Sequence, residues 1–235
     1  MKGDGMAYRE LINNTGASCC HKHFPTCLQG LTIGIDPGHQ EHTDSGEETI
    51  SPESAEKKPK TSSGTCGIFT HVPEYIVNLD VAIKLREALK ALGAKVVMTR
   101  ETNDVNISNQ ERAAVMNAAG VDLALRIHCD GALRHSVNGI SVYVRKTGTG
   151  QEECEEAAKV ILHEMCAATG AEKGGVYLSD AYTMNNWCVV PCVLIEMGFM
   201  TNEEEDRKLN DPGYQELLVE GMVNGVCRFL GRMTE

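Results

Sequence analysis

A chain of 235 residues with a 42% hydrophobic content is long enough to bury one substantial core and too apolar to be wholly disordered. Its formal net charge of -11 argues against a nucleic-acid partner, because binding to phosphates needs clustered positive charge. No run of about 18 apolar residues occurs, so no segment of the sequence reads as a membrane-spanning helix.

The first 29 residues are polar and read as a poorly ordered leader ahead of a domain spanning residues 30–235. They contain no apolar core of a signal peptide, so the chain is either cytoplasmic or has its export signal outside this sequence. Cys19, Cys20, His21, His23 and Cys27 are metal-ligand types, but no paired CxxC spacing supports a site, and a loose leader is the better reading. The ten cysteines lack the regular spacing of a disulfide scaffold. Cys166, Cys192 and Cys227 fall in apolar runs and read as small core residues with reduced thiols.

Leu31 to Asp36 is an apolar run closed by Pro37-Gly38, which predicts a strand ending in a turn at His39. Residues Gln40 to Thr65 are rich in Ser, Glu, Lys, Pro and Gly and offer little to bury, which predicts a mobile polar insertion able to act as a cover. Glu74 to Leu92 has helical spacing of its apolar residues and a stop at Gly93. Ala94 to Thr99 reads as a strand, and Ser108 as the cap of the next helix. Strands follow at Val121 to Ile127 and Gly139 to Val144, then a helix from Glu152 to Thr169, a strand from Val189 to Glu196 and a helix from Pro212 to Leu230. This alternation predicts a single layered α/β domain whose mainly parallel, twisted sheet is flanked by helices.

In such sheets ligands sit beyond the carboxyl ends of the strands. Three apolar runs deliver His39, His128 and Glu196 at or just past those ends, and Glu74 opens the first long helix. Two histidines and a glutamate satisfy a catalytic zinc shell that leaves one position to water. Glu196, an acid within an apolar strand, suits proton transfer, since burial raises its pKa. Taken singly, His39 also reads as a turn residue, His128 as a core histidine and Glu74 as a first-turn acid.

Read together, the motifs resemble the zinc-dependent N-acetylmuramoyl-L-alanine amidases (the amidase_3 family) from about Leu31 to the C-terminus. Ile35-Asp36-Pro37-Gly38-His39 is similar to the family's opening strand and first histidine ligand. Glu74 with Asn78-Leu79 resembles its glutamate ligand, Arg126-Ile127-His128 its second histidine strand, and Leu194 to Asn202 the segment of its catalytic glutamate, here Glu196. Met98-Thr99-Arg100, Gln110-Glu111-Arg112 and Gly174-Gly175-Val176 fit as well. The resemblance implies zinc held by His39, Glu74 and His128, with Glu196 as general base and then acid. It also implies a peptidoglycan or muropeptide substrate cut at the amide joining muramic acid to L-alanine, and a place outside the cell, at the wall, or in the cytoplasm before phage lysis. Arg126 departs from the family, which commonly has a small polar residue there, as does Cys129-Asp130 where a small residue and an amide are usual. Such neighbours tune ligand orientation and metal affinity. No long helical insertion precedes Glu152, which implies an open site. The rival readings are a zinc peptidase acting within the stem peptide and a non-catalytic wall-binding or regulatory domain. A nucleotide-binding α/β protein is disfavoured, since no GxGxxG or P-loop occurs.

Overall fold

The computed structural model describes residues 26–148 and 150–231. Six strands form the main sheet: β1 (Thr32–Pro37), β4 (Lys95–Met98), β5 (Leu123–Asp130), β6 (Ile140–Val144), β7 (Lys173–Leu178) and β8 (Cys192–Phe199). Their spatial order is β4-β1-β5-β8-β6-β7. Every neighbouring pair runs parallel except β6 with β8. A short separate hairpin joins β2 (Glu47–Thr49) to β3 (Lys57–Pro59). The helices are α1 (Glu74–Ala91), α2 (Asn109–Ala119), α3 (Gln151–Thr169), α4 (Thr183–Trp187), α5 (Glu203–Leu209) and α6 (Pro212–Phe229). Ser108 caps α2 as anticipated, in a reciprocal box with Glu111.

The strand period of two divides the sheet into unequal faces. Ile33 and Ile35 of β1, Leu123, Leu125 and Ile127 of β5, and Val193, Ile195 and Met197 of β8 join α1, α3 and α6 in the large core. Ala124 and Cys192, on the opposite face, join a small cluster with Ala113 and Met116 of α2 and Met184 of α4. By the same alternation Asp36, Arg126, His128 and Glu196 belong to this second face, where helix cover is thin and polar groups collect. The large core supplies the hydrophobic stability and leaves the other face for chemistry.

Two expectations are corrected at the edges of the domain. Leu28 is fully buried in the large core and its N–H donates to the Leu92 carbonyl at 3.0 Å, so the domain reaches back before residue 30. Cys27 lies 3.7 Å from Cys227, sulfur to sulfur, while Cys19, Cys20, His21 and His23 lie outside the described residues. The segment Gln40 to Thr65 is also packed and not a loose insertion. The buried Glu48 carboxylate accepts the N–H groups of Asn109 and Gln110, both at 3.1 Å, at the start of α2. The Thr49 carbonyl accepts from Gln110 Nε2 and from Trp187 Nε1, each at 2.9 Å, and Ile50 is buried between these contacts. Composition measures apolar area only, whereas this hairpin is held by hydrogen bonds to a helix N-terminus, whose free N–H groups and dipole favour a carboxylate.

Removing that carboxylate takes the acceptor from the Gln110 N–H and leaves the Asn109 N–H with the Lys60 carbonyl alone. Glu48→Ala is expected to destabilise the domain by about 1–2 kcal/mol, the span measured for lost helix caps. Urea unfolding monitored by far-UV circular dichroism checks this, and an unchanged midpoint would return the segment to a passive insertion.

Candidate metal centre

The centre begins with a buried acid. Asp36, at the carboxyl end of β1, has no solvent exposure and receives Arg112 Nη1 at 2.7 Å, Arg126 Nε at 3.0 Å and Thr99 Oγ1 at 2.6 Å. Burial alone would raise its pKa, but the Arg112 and Arg126 guanidinium groups outweigh it and hold the carboxyl far below the ordinary range. Arg112 then reaches the carbonyls of Pro37 at 2.9 Å and His39 at 3.0 Å. Arg100 binds Pro37 O at 2.9 Å and Gly38 O at 3.0 Å. Asn78 adds a bond to Gly38 O at 3.2 Å. These donors over-determine the turn and hold His39 in the left-handed region, at a φ of 58° that a residue with a side chain rarely adopts. Gly38 packs so closely on the His128 ring that a Cβ there would lie 2.2 Å from the imidazole, so no side chain fits.

This turn, the start of α1 and the end of β5 bring three ligand types together. His39 Nε2 lies 3.3 Å from Glu74 Oε2, and His128 Nδ1 lies 3.2 Å from Glu74 Oε1. The donor atoms of His39, Glu74 and His128 all lie within 4.8 Å of one another. The two rings stand edge to face at an interplanar angle of 82°. Glu74 is fixed further by the N–H groups of Thr65 at 2.8 Å and Cys129 at 3.0 Å. Burial would raise its pKa, but hydrogen bonds from His128 and His39 prevail and keep it well below the usual value. Burial depresses His128 to about 4, against the pull of Glu74, so its ring is neutral at neutral pH and keeps a lone pair. Two imidazoles with one carboxylate are a donor set suited to a divalent metal.

Glu196 sits opposite His128 in the β5–β8 register and is 8% exposed. Its Oε2 has no hydrogen-bond partner among the described residues. Burial first, then the charges of Glu74 and Asp130, push its pKa well above the ordinary carboxyl value, with Arg126 opposing. A buried acid oxygen without a partner is costly in a purely structural role. It faces an open cavity of about 490 Å³ lined by His39, Glu74, His128, Asp130, Leu133 and Glu196. A larger cavity of about 950 Å³ beside the hairpin turn, lined by Ile50, Arg145 and Trp187, contains none of the four residues, so volume alone does not locate the chemistry.

All four residues singled out from the sequence thus meet at one edge of the sheet. The supporting roles of Asp36 and Arg112 were not assigned from the sequence, although an aspartate inside the apolar β1 run carries the same signal that singled out Glu196. Because the folded pKa of Asp36 is depressed, its contribution to stability is complete above its unfolded value of about 4 and is lost as pH falls towards the folded pKa. Asp36→Asn is expected to cost about 3–5 kcal/mol, as for breaking a buried ion pair, and to flatten the acid limb of the stability–pH curve. Denaturant titrations between pH 3 and 7 check both; equal stability of the two proteins at neutral pH would show that the arginines do not depend on Asp36.

A family profile described as N-acetylmuramoyl-L-alanine amidase (Amidase_3) matches residues 33–228. The amidase LytC of Bacillus subtilis (strain 168) is 30% identical over 200 residues, which are 85% of this chain and 36% of that protein. The uncharacterized protein YqiI of the same organism is 29% identical over 212 residues, 90% of each chain. Among solved structures, the amidase Ami1 from Mycobacterium smegmatis superposes with a TM-score of 0.80 at 24% identity, covering 88% of this chain and 99% of that one. An amidase from Clostridium difficile 630 gives 0.73 at 25% identity, covering 86% and 97%. The single α/β domain with its mostly parallel sheet is the fold of these structures. The chain belongs to the N-acetylmuramoyl-L-alanine amidases, a metal-dependent family of enzymes that act on the amide bonds of peptidoglycan.

Proposed function

We propose that this chain hydrolyses the amide between the lactyl group of N-acetylmuramic acid and L-alanine, with zinc held by His39, Glu74 and His128 and with Glu196 moving the proton. The observation that carries the reading is Glu196 itself, a buried carboxyl with one oxygen unpartnered, in register with His128. Zinc bound there would polarise the scissile carbonyl and lower the pKa of the attacking water. Glu196 takes a proton from that water and returns it to the departing L-alanine nitrogen, which otherwise leaves as an unfavourable anion. Its elevated pKa makes it a stronger base when ionised and a competent donor when protonated. Thr65, Cys129 and Asn78 keep Glu74 aimed at the two histidines. The substrate places the enzyme at the cell wall, outside the membrane, and no helix among the described residues is long and apolar enough to cross one.

Digestion of purified muropeptides, with products identified by mass spectrometry, tests the bond. New L-alanine amines and intact lactyl carboxylates are expected. Cuts within the stem peptide would instead establish the peptidase alternative. Chelation is expected to abolish the reaction and added zinc to restore it. Glu196→Gln is expected to lower turnover by roughly 10²–10⁴-fold, with zinc content and thermal midpoint retained. Near wild-type cleavage by the zinc-loaded variant would remove Glu196 from the mechanism.

A further inference from the structure

His39 and His128 meet their outer neighbours in opposite ways. His39 Nδ1 lies 2.9 Å from the Ser62 carbonyl oxygen. A carbonyl only accepts, so it suits a proton on Nδ1, the outer proton that ligation through Nε2 requires, and the Ser62 hydroxyl lies 3.2 Å from the same nitrogen. His128 turns Nδ1 towards Glu74, and its outer nitrogen, Nε2, lies 3.3 Å from Arg126 Nη2. Arginine only donates. His128 Nε2 therefore accepts, and the single ring proton occupies Nδ1, where it donates to Glu74 Oε1.

Ligation through Nδ1 demands the reverse arrangement, with the lone pair on Nδ1 and the proton on Nε2. The ring is neutral in both states; only the place of its proton differs. With the proton on Nε2, two donors face each other across the Arg126 contact, and the guanidinium charge adds to that of a divalent cation. We propose that Arg126 is a positioning residue that sets how tightly the centre holds its metal, because loading requires Arg126 Nη2 to leave the His128 ring. The inference rests on the assignment of zinc to His39, Glu74 and His128. The displaced group has a place to go. The same Nη2 lies 3.4 Å from Asn109 Oδ1, while Nε remains on Asp36 at 3.0 Å and Nη1 on Asn185 Oδ1 at 3.2 Å. Arg126 thus gives up the His128 ring while keeping Asn109, Asn185 and the buried Asp36.

Zinc affinity, measured by competition with a chromophoric chelator, tests this on the full chain. Arg126→Gln removes the charge and offers an amide oxygen that can accept from His128 Nε2, and Arg112 still neutralises Asp36. It is expected to bind zinc more tightly by at least roughly 10-fold, within the 10–100-fold range that partners of ligating histidines command. Arg126→Lys, which keeps a cation and only donors, is expected to stay near wild type. A folded Arg126→Gln protein with equal or weaker affinity would overturn the proposal. Long-range ¹H–¹⁵N spectra of wild-type His128 provide a test that needs no substitution. The metal-free ring is expected to be protonated on Nδ1 and the zinc-loaded ring on Nε2, and a metal-free ring protonated on Nε2 contradicts the proposal. Wild-type protein that takes up no zinc would defeat the proposed function instead, while the metal-free spectrum would still decide the Arg126 contact.

Discussion

The fully buried carboxylate of Asp36 organises this molecule. Two guanidinium groups and a hydroxyl converge on it, and one of those arginines, Arg112, holds with Arg100 the carbonyls of Pro37, Gly38 and His39. A buried ion pair contributes little net stability compared with well-packed apolar residues, but losing one member is expensive. Here its use is geometric. It fixes a turn in which a histidine adopts left-handed backbone, and that backbone aims His39 at Glu74. The cost of burying charge is met by the large core on the other face of the sheet, where helices α1, α3 and α6 pack on β1, β5 and β8.

The division between faces explains how a small domain carries both a dense core and a polar centre. Odd positions in β5 and β8 are apolar and point to the large core, while the intervening positions supply Arg126, His128 and Glu196. A one-residue slip in either strand would exchange the two sets, so the apolar burial that stabilises the sheet also fixes the register of the site. The hairpin of β2 and β3 completes the second face. Through Glu48 it covers the start of α2, and through the segment that follows it brings the Ser62 carbonyl to His39 Nδ1.

Much of this was legible in the sequence because apolar runs with a polar residue at the end are a strong signal. β1 ending near His39, β5 carrying His128, β8 carrying Glu196 and α1 opening at Glu74 could be placed from periodicity, turn residues and capping, and the family resemblance joined them. Other parts were not legible, for identifiable reasons. The anchoring of residues 47–59 depends on hydrogen bonds to α2 and Trp187, whose partners lie some 60 to 140 positions away and leave no local periodicity. Leu28 is a single apolar residue in a polar stretch. β7, with the sequence Lys-Gly-Gly-Val-Tyr-Leu, is half exposed at the sheet edge and lacks a clean alternation. The role of Asp36 depends on Arg112 and Arg126, which arrive from a helix and another strand.

The central claim is that this buried network presents His39, Glu74 and His128 as one metal shell, with Glu196 beside it and outside it. Anomalous diffraction at the zinc edge from crystals of the zinc-loaded protein tests that claim most directly. The account predicts a single strong peak at about 2.0–2.2 Å from His39 Nε2, a Glu74 carboxylate oxygen and His128 Nδ1. A peak on other residues, or one with Glu196 as a ligand in place of any of the three, would contradict it.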